Sequence, residues 1–367
     1  MSISRRSFIK TAASALVFPT VYPISQSYAQ ADGGWKTYEV RTEITIDAPH
    51  ELVQVWLPLP LIQDTDYFKT LSIKTDGDAK STAIKKTPNG EAQMFYGQWD
   101  ASTQSRNLIV VATISTRERY SNFNQYNSNL LLPKIEQKYW TRSTELLPTD
   151  GIVRATMNEI IKPLPKDATD VEKAKAIYNW VVENTFREAT TKGCGVGDVK
   201  LMLETNNLGG KCADINAVYV ALARSAGIPA RDVYGIRVAD SARGYKSLGK
   251  SGDISKAQHC RAEFFAKGYG WIAVDPADVR KVILEEPGNL AINDPKVVAI
   301  RDYLFGHWEM NWLAYNYGHD IVLPGSKLGS NGKIGFLMYP QAETKMGRLD
   351  SLDPANFQYK ITSKLID

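Results

Sequence analysis

The sequence predicts an α+β fold: a helical layer followed by an antiparallel sheet, preceded by an antiparallel β-sandwich. Three observations carry this. Between residues 35 and 120, apolar and polar residues alternate in short runs broken by turn signals. From 151 to 226 the apolar spacing changes to that of helices. From 233 onward the strand pattern returns.

The first residues stand apart from that fold. Ser4 to Lys10 reads SRRSFIK, the pattern of a twin-arginine export signal, followed by a short apolar stretch from Thr11 to Phe18. Ala29-Gln30-Ala31 is a fitting cleavage site, with Ser27-Tyr28-Ala29 as its rival. Residues 1–31 are therefore expected to be a removable signal peptide, and the mature protein to be periplasmic or secreted. The export machinery is one expected partner. Residues 1–31 hold Arg5, Arg6 and Lys10 and no acidic residue, so their removal takes the formal charge from +4 to +1. No basic surface for nucleic acid is implied, and no apolar run is long enough for a stable membrane anchor.

The β-rich segment, residues 35–120, begins with Tyr38, Val40, Thr42, Ile44 and Ile46 alternating with Glu39, Arg41, Glu43 and Thr45. Val53, Val55 and Leu57 start a second strand, halted by Pro58 and Pro60. Leu71 and Ile73 mark a third, and Pro88-Asn89-Gly90 is a turn before Met94 to Trp99. Leu108, Val110, Ala112 and Ile114 alternate again. Ser121 to Asn129 is polar and patternless, as a linker would be.

A second domain is expected over 135–300. A helix fits Gly151 to Ile161, ended by Pro163. Thr169 and Glu172 form a capping-box pattern that opens a helix with Ala174, Ile177, Tyr178 and Val181 on one face. A glycine-rich loop, GCGVG, covers 193–197, and a shorter helix fits Asp198 to Glu204. Then comes GGKCADINAVYVALARSAGIPAR, residues 209–231. Asp214 suits a first helical turn; Ile215, Val218, Tyr219, Leu222 and Ala226 share one face; Gly227-Ile228-Pro229 stops the helix.

Cys212 thus begins a helix, where free N–H groups and the dipole stabilise a thiolate, with Lys211 as a positive neighbour. One cysteine on an apolar helix usually belongs to a core. The downstream strands change that reading. In QHCRAEFF, residues 258–265, His259, Arg261, Glu263 and Phe265 share one face, and Cys260, Ala262 and Phe264 the other. WIAVDP, residues 271–276, is the returning strand. His259 and Asp275 share a face if residue 261 lies opposite 275, which requires an odd-numbered loop such as 266–270. An imidazole then has both a thiol to deprotonate and a carboxylate to fix its tautomer.

Competing chemistries fit less well. A phosphate loop built on Gly210-Lys211 needs glycine at 205 and Ser or Thr at 212, where Thr205 and Cys212 stand. Cys194, Cys212, Cys260 and His259 lack paired C-x-x-C spacing, and Cys260 is expected to point away from the His259 face, so no metal and no cofactor are expected. The odd cysteine count leaves at least one thiol unpaired within the chain; a Cys194–Cys260 bond formed after export stays open. Arg261 and Glu263 read as a paired strand face, with gating of the cleft by one of them as the alternative, and Asp278 and Arg280 as solvated turn charges. His307, Trp308, Trp312, Tyr315, Tyr317 and His319 read as a tail packed on the core, with a cleft platform as the alternative. The tail, residues 301–367, is expected to be an aromatic- and turn-rich extension on that core.

The three blocks GGKCADINAVYVALARSAGIPAR, HCRAEFF and GYGWIAVDPADV together resemble the transglutaminase-like superfamily of cysteine enzymes, whose core is similar to the papain-like α+β fold. The resemblance covers roughly residues 140–280 and includes YNWVVENT at 178–185. It implies a catalytic triad of Cys212, His259 and Asp275. The VWLPLP segment resembles the β-domain preceding this core in many bacterial members. The chain departs from the family where HAW is frequent: Cys260 and Arg261 follow the histidine.

The Cys212 amide is a natural oxyanion donor, and Asn206, six positions upstream, is a candidate for a second, with Asn207 beside it. The expected chemistry is acyl transfer from an amide through a thioester, with a protein or peptide substrate. Water as acceptor makes a peptidase or amidase, which the resemblance favours; a lysine amine makes a cross-linking transglutaminase. A non-catalytic peptide-binding protein is the other class, and the intact triad argues against it.

Overall fold

The computed structural model describes residues 34–48, 50–61, 64–353 and 357–367. The signal peptide expected over 1–31 lies outside them.

Two five-stranded antiparallel sheets face each other. In the first, Lys36–Thr45 lies between Asn107–Thr116 and Gln358–Leu365, flanked by Phe68–Gly77 and the short Gly252–Asp253. Its alternation turns Tyr38, Val40 and Ile44 inward. The second runs Gly347–Arg348, Gln341–Thr344, Val53–Pro58, Gln93–Trp99, Ser81–Lys86. Ile44, Val55, Phe95, Trp99, Val110 and Phe357, drawn from both sheets, share one hydrophobic cluster, the packing of a sandwich.

Two features of the strands differ from the sequence expectation. Ser81–Lys86 is an edge strand that the periodicity does not reveal. Its side chains, Ile84 included, are almost all exposed, and the backbone ladder to Gln93–Gln98 holds it. The tail is not simply an extension laid on the core. Trp312–Asn316 joins the four-stranded sheet, Gln341–Thr344 pairs with Val53–Pro58, and Gln358–Leu365 pairs with Lys36–Thr45. Strand pairing across such separations rests on backbone groups that every residue carries, so the local pattern does not name the partner.

Seven α-helices occur among the described residues: α1 Lys134–Trp140, α2 Gly151–Ile161, α3 Asp170–Asn184, α4 Val199–Glu204, α5 Cys212–Ser225, α6 Pro276–Glu285 and α7 Pro295–Tyr303. The capping box of α3 forms as expected: the Glu172 amide donates to Thr169 Oγ1 at 3.2 Å, and the Thr169 amide to Glu172 Oε2 at 2.7 Å. The predicted apolar face of α5 understates its burial. All its residues are buried, because α2, α3, α4, α6 and two strands of the central sheet surround it. That sheet runs Gly270–Val274, Gln258–Ala266, Ala230–Arg237, Trp312–Asn316. No helix among the described residues is long and apolar enough to cross a membrane.

Candidate active site

The first turn of α5 is locked by one carboxylate. Asp214 Oδ2 accepts the Lys211 amide at 2.9 Å, and Oδ1 accepts the Val196 and Gly197 amides at 2.9 and 2.8 Å. The GCGVG loop is thereby fastened to the start of the helix. Glycine is required at two contact points: a Cβ on Gly195 would sit 1.8 Å from Asp214 Oδ2, and one on Gly210 2.4 Å from it. The Ala213 amide donates to Cys194 O at 2.9 Å, so the loop also caps the helix backbone. The Cys212 N–H, first of the helix, has no acceptor within it.

The hairpin meets the geometric demand of the sequence. Ala262 pairs with Val274 and Ala266 with Gly270, leaving the odd loop 267–269. Continued by one step, this register sets Arg261 opposite Asp275. His259 Nε2 lies 2.7 Å from Asp275 Oδ2, with both residues buried. The other ring nitrogen, Nδ1, is left for the thiol, and His259 is among the groups that lower the Cys212 pKa. Trp312 Nε1 donates to His259 O and Trp308 Nε1 to Val274 O, both at 3.1 Å. These tail tryptophans are buried braces behind the two strands rather than a cleft platform, and Tyr315 and His319 are buried as well.

One side chain that sequence reasoning missed joins the three carriers. Asn216, fully buried and one turn after Cys212, donates to Cys260 O at 2.9 Å and to Asp275 Oδ1 at 3.3 Å. Its Oδ1 accepts the Ala277 amide at 3.3 Å. Its i, i+4 relation to Cys212 was the available signal.

The charges are also richer than expected. Asp278 is not a solvated turn residue. It is buried at N3 of α6; Arg237 Nη2 donates to its Oδ1 at 2.6 Å, and its Oδ2 lies 3.4 Å from His259 Nε2. Asp275 is the N-cap, accepting the Asp278 amide on Oδ1 at 3.1 Å. An Asp-Pro helix start with an acid at N3 is a legible motif that the strand reading passed over. Arg261 does not pair with Glu263. Its Nε lies 3.6 Å from Asp275 Oδ2, while Glu263 is held by Arg119 and Arg231 at 2.5 Å each. Arg231 lies directly opposite Glu263 across the strands, a closer geometry than residues two apart on one strand allow.

These surroundings set the protonation states. The neighbouring Cys194 and Cys260 side chains hold the Cys212 thiol well below its usual range; burial opposes them, and His259 assists them. Burial and the Arg237 charge depress the His259 imidazole, but the Asp278 and Asp275 carboxylates outweigh them and raise it to about 9. Burial also works against the Asp278 charge, yet Arg237 and His259 keep that carboxyl well below the usual range. Both shifts act in the direction of a thiolate–imidazolium pair.

All three cysteines are free and buried. Cys260 lies on the opposite strand face from His259, as expected, packed with Ala262 and Phe264 against α5. The Tyr339 hydroxyl hydrogen-bonds to Cys194. Asn206 takes the left-handed position ending α4, with φ 53°, and is exposed; this is the turn-making use of an asparagine. Among the described residues, the one set of three potential metal ligands within 4.8 Å of one another is His259, Asp275 and Asp278. Arg237 and Arg261 already neutralise both carboxylates, so a divalent cation there would bring charge that nothing balances. The three thiols and His259 form no such set.

A family model described as the transglutaminase-like superfamily matches residues 155–276, the span holding Cys212, His259 and Asp275. An uncharacterized protein of Haemophilus influenzae is 36% identical over 325 residues, covering 84% of this chain and 85% of that protein. A proposed cysteine protease from Cytophaga hutchinsonii shares the fold with a TM-score of 0.54 at 12% identity, over 91% of each chain. The periplasmic domain of TgpA from Pseudomonas aeruginosa aligns with a TM-score of 0.37 at 15% identity, over 68% of this chain and 89% of that one.

Asn216→Ala should lower the unfolding free energy by about 2–4 kcal/mol, because buried partners on the sheet and on α6 lose their hydrogen bonds. Denaturant titration measures this; a change under about 0.5 kcal/mol would show that the junction does not depend on this amide.

Proposed function

Because the chain belongs to the transglutaminase-like superfamily, we propose that it is a cysteine-dependent acyl-transfer enzyme that hydrolyses peptide or isopeptide bonds. The observation that carries this reading is the 2.7 Å contact between His259 Nε2 and Asp275 Oδ2, with Cys212 at a helix N-terminus and its thiol held low in part by the same imidazole.

In this mechanism the Cys212 thiolate attacks the amide carbonyl. The Cys212 N–H faces the developing oxyanion at the positive end of α5. The His259 imidazolium protonates the departing amine, leaving a thioester on Cys212 and a neutral imidazole. His259 then takes a proton from water, the hydroxide adds to the thioester, and the acid product leaves as the thiolate returns. Asp275 fixes the imidazole so that Nδ1 addresses the sulfur throughout. The fold neighbour described as a proposed cysteine protease supports water as the acceptor.

Iodoacetamide should label Cys212 rapidly at about pH 6, where an ordinary thiol is almost wholly protonated, and His259→Ala should remove that advantage. Labelling of the wild type at an ordinary thiol's rate would exclude an activated nucleophile and favour a binding protein. Protonating the leaving amine requires imidazolium, whose proton is held up to about pH 9. Amide cleavage should therefore decline as pH rises through that value. Products carrying an added amine, rather than a free carboxylate, would assign the enzyme to cross-linking.

The Arg5-Arg6 signal supports export by the twin-arginine route. Arg5→Lys with Arg6→Lys should retain the protein inside cells on fractionation; unchanged export would remove that part of the proposal.

A further inference from the structure

A second carboxylate lies against the same edge of the His259 ring as Asp275. Asp278 Oδ2 is 3.4 Å from His259 Nε2, and Asp275 Oδ2 is 2.7 Å from it. Asp278 is held from both sides. Arg237, on the neighbouring strand, grips its Oδ1 at 2.6 Å, and its own amide donates to Asp275 Oδ1 at 3.1 Å. Arg237 is anchored in turn, donating to Leu248 O at 2.6 Å. All of these side chains are buried.

We propose that Asp278, clamped by Arg237, is a positioning residue for His259: a second carboxylate that shares the Nε2 proton with Asp275 and holds the imidazolium beside Cys212. A carboxylate that served only to pair Arg237 would have no reason to turn its other oxygen to the imidazole. The arrangement also answers a difficulty of the burial. One carboxylate beside Arg261, which lies 3.6 Å from Asp275 Oδ2, is already partly neutralised. Asp278 sets a second carboxylate oxygen beside the buried imidazolium, while its opposite oxygen is paired with Arg237. The charged and titratable groups facing the ring are Asp275 and Asp278 from α6, Arg237 from the adjacent strand, Arg261 from its own strand and Cys212 from α5.

This inference rests on the proposed acyl-transfer reading only for the purpose the imidazolium serves; its geometry stands on the four residues themselves. The test is the titration of His259 by NMR of the full chain carrying labelled histidine, with the signal assigned by its loss in His259→Gln. Asp278→Asn should lower the His259 pKa by at least about one unit. Arg237→Gln, which removes the opposing charge and leaves Asp278 to the imidazole, should raise it. Either variant suffices if the other does not fold. The proposal is overturned if Asp278→Asn leaves the titration unchanged, or if Arg237→Gln lowers it, since a merely structural role would loosen the ring and move both variants the same way. Slow labelling of wild-type Cys212 at about pH 6 would instead defeat the acyl-transfer reading, whatever the NMR result.

Discussion

The buried carboxamide of Asn216 is the contact on which the rest of the site depends. It bonds to the strand at Cys260 O, to Asp275 Oδ1 and to the Ala277 amide at the start of α6. Cys212 lies one turn earlier on the same helix, His259 precedes Cys260, and Asp275 is itself a partner. One rigid amide therefore fixes the relative placement of the three elements that carry the proposed triad. It does so where water is excluded, so each of its hydrogen bonds must be made within the protein.

Around that tie the local field is built in layers. The helix start is held open to charge by the Asp214 carboxylate, which fastens the glycine loop without occupying the Cys212 amide. Two guanidiniums, Arg237 and Arg261, face two carboxylates, Asp278 and Asp275. The two pairs leave the frame around His259 formally neutral. The Cys194 and Cys260 side chains on either side favour the charged form of the sulfur. The tail tryptophans brace the strands from behind, so a segment far away in sequence contributes to the rigidity of the imidazole.

Much of this was legible in the sequence, because it is written in local patterns. The capping box at Thr169, the glycine stop after α5 and the hairpin register that brings His259 to Asp275 each follow from neighbouring residues. The edge strand Ser81–Lys86 was not legible because it buries almost no side chain. The partners of the tail strands were hidden because pairing is non-local: Gln341–Thr344 and Gln358–Leu365 join strands near the start of the chain, and Trp312–Asn316 joins Ala230–Arg237. Asn216 and Asp278 carried local signals, the i, i+4 relation to Cys212 and the Asp-Pro helix start, that the strand and core readings passed over. Arg261 takes its meaning from Asp275 on another element, which spacing along its own strand does not show.

The most direct test of a nucleophilic Cys212 is to look for the thioester itself. Extracts containing peptides would be incubated with the purified protein, quenched in acid and examined by intact and peptide mass spectrometry. The account predicts an acyl adduct on the peptide containing Cys212, absent from Cys212→Ser and discharged on return to neutral pH. Cleaved substrate without any adduct on Cys212, or turnover that persists in Cys212→Ser, would contradict it.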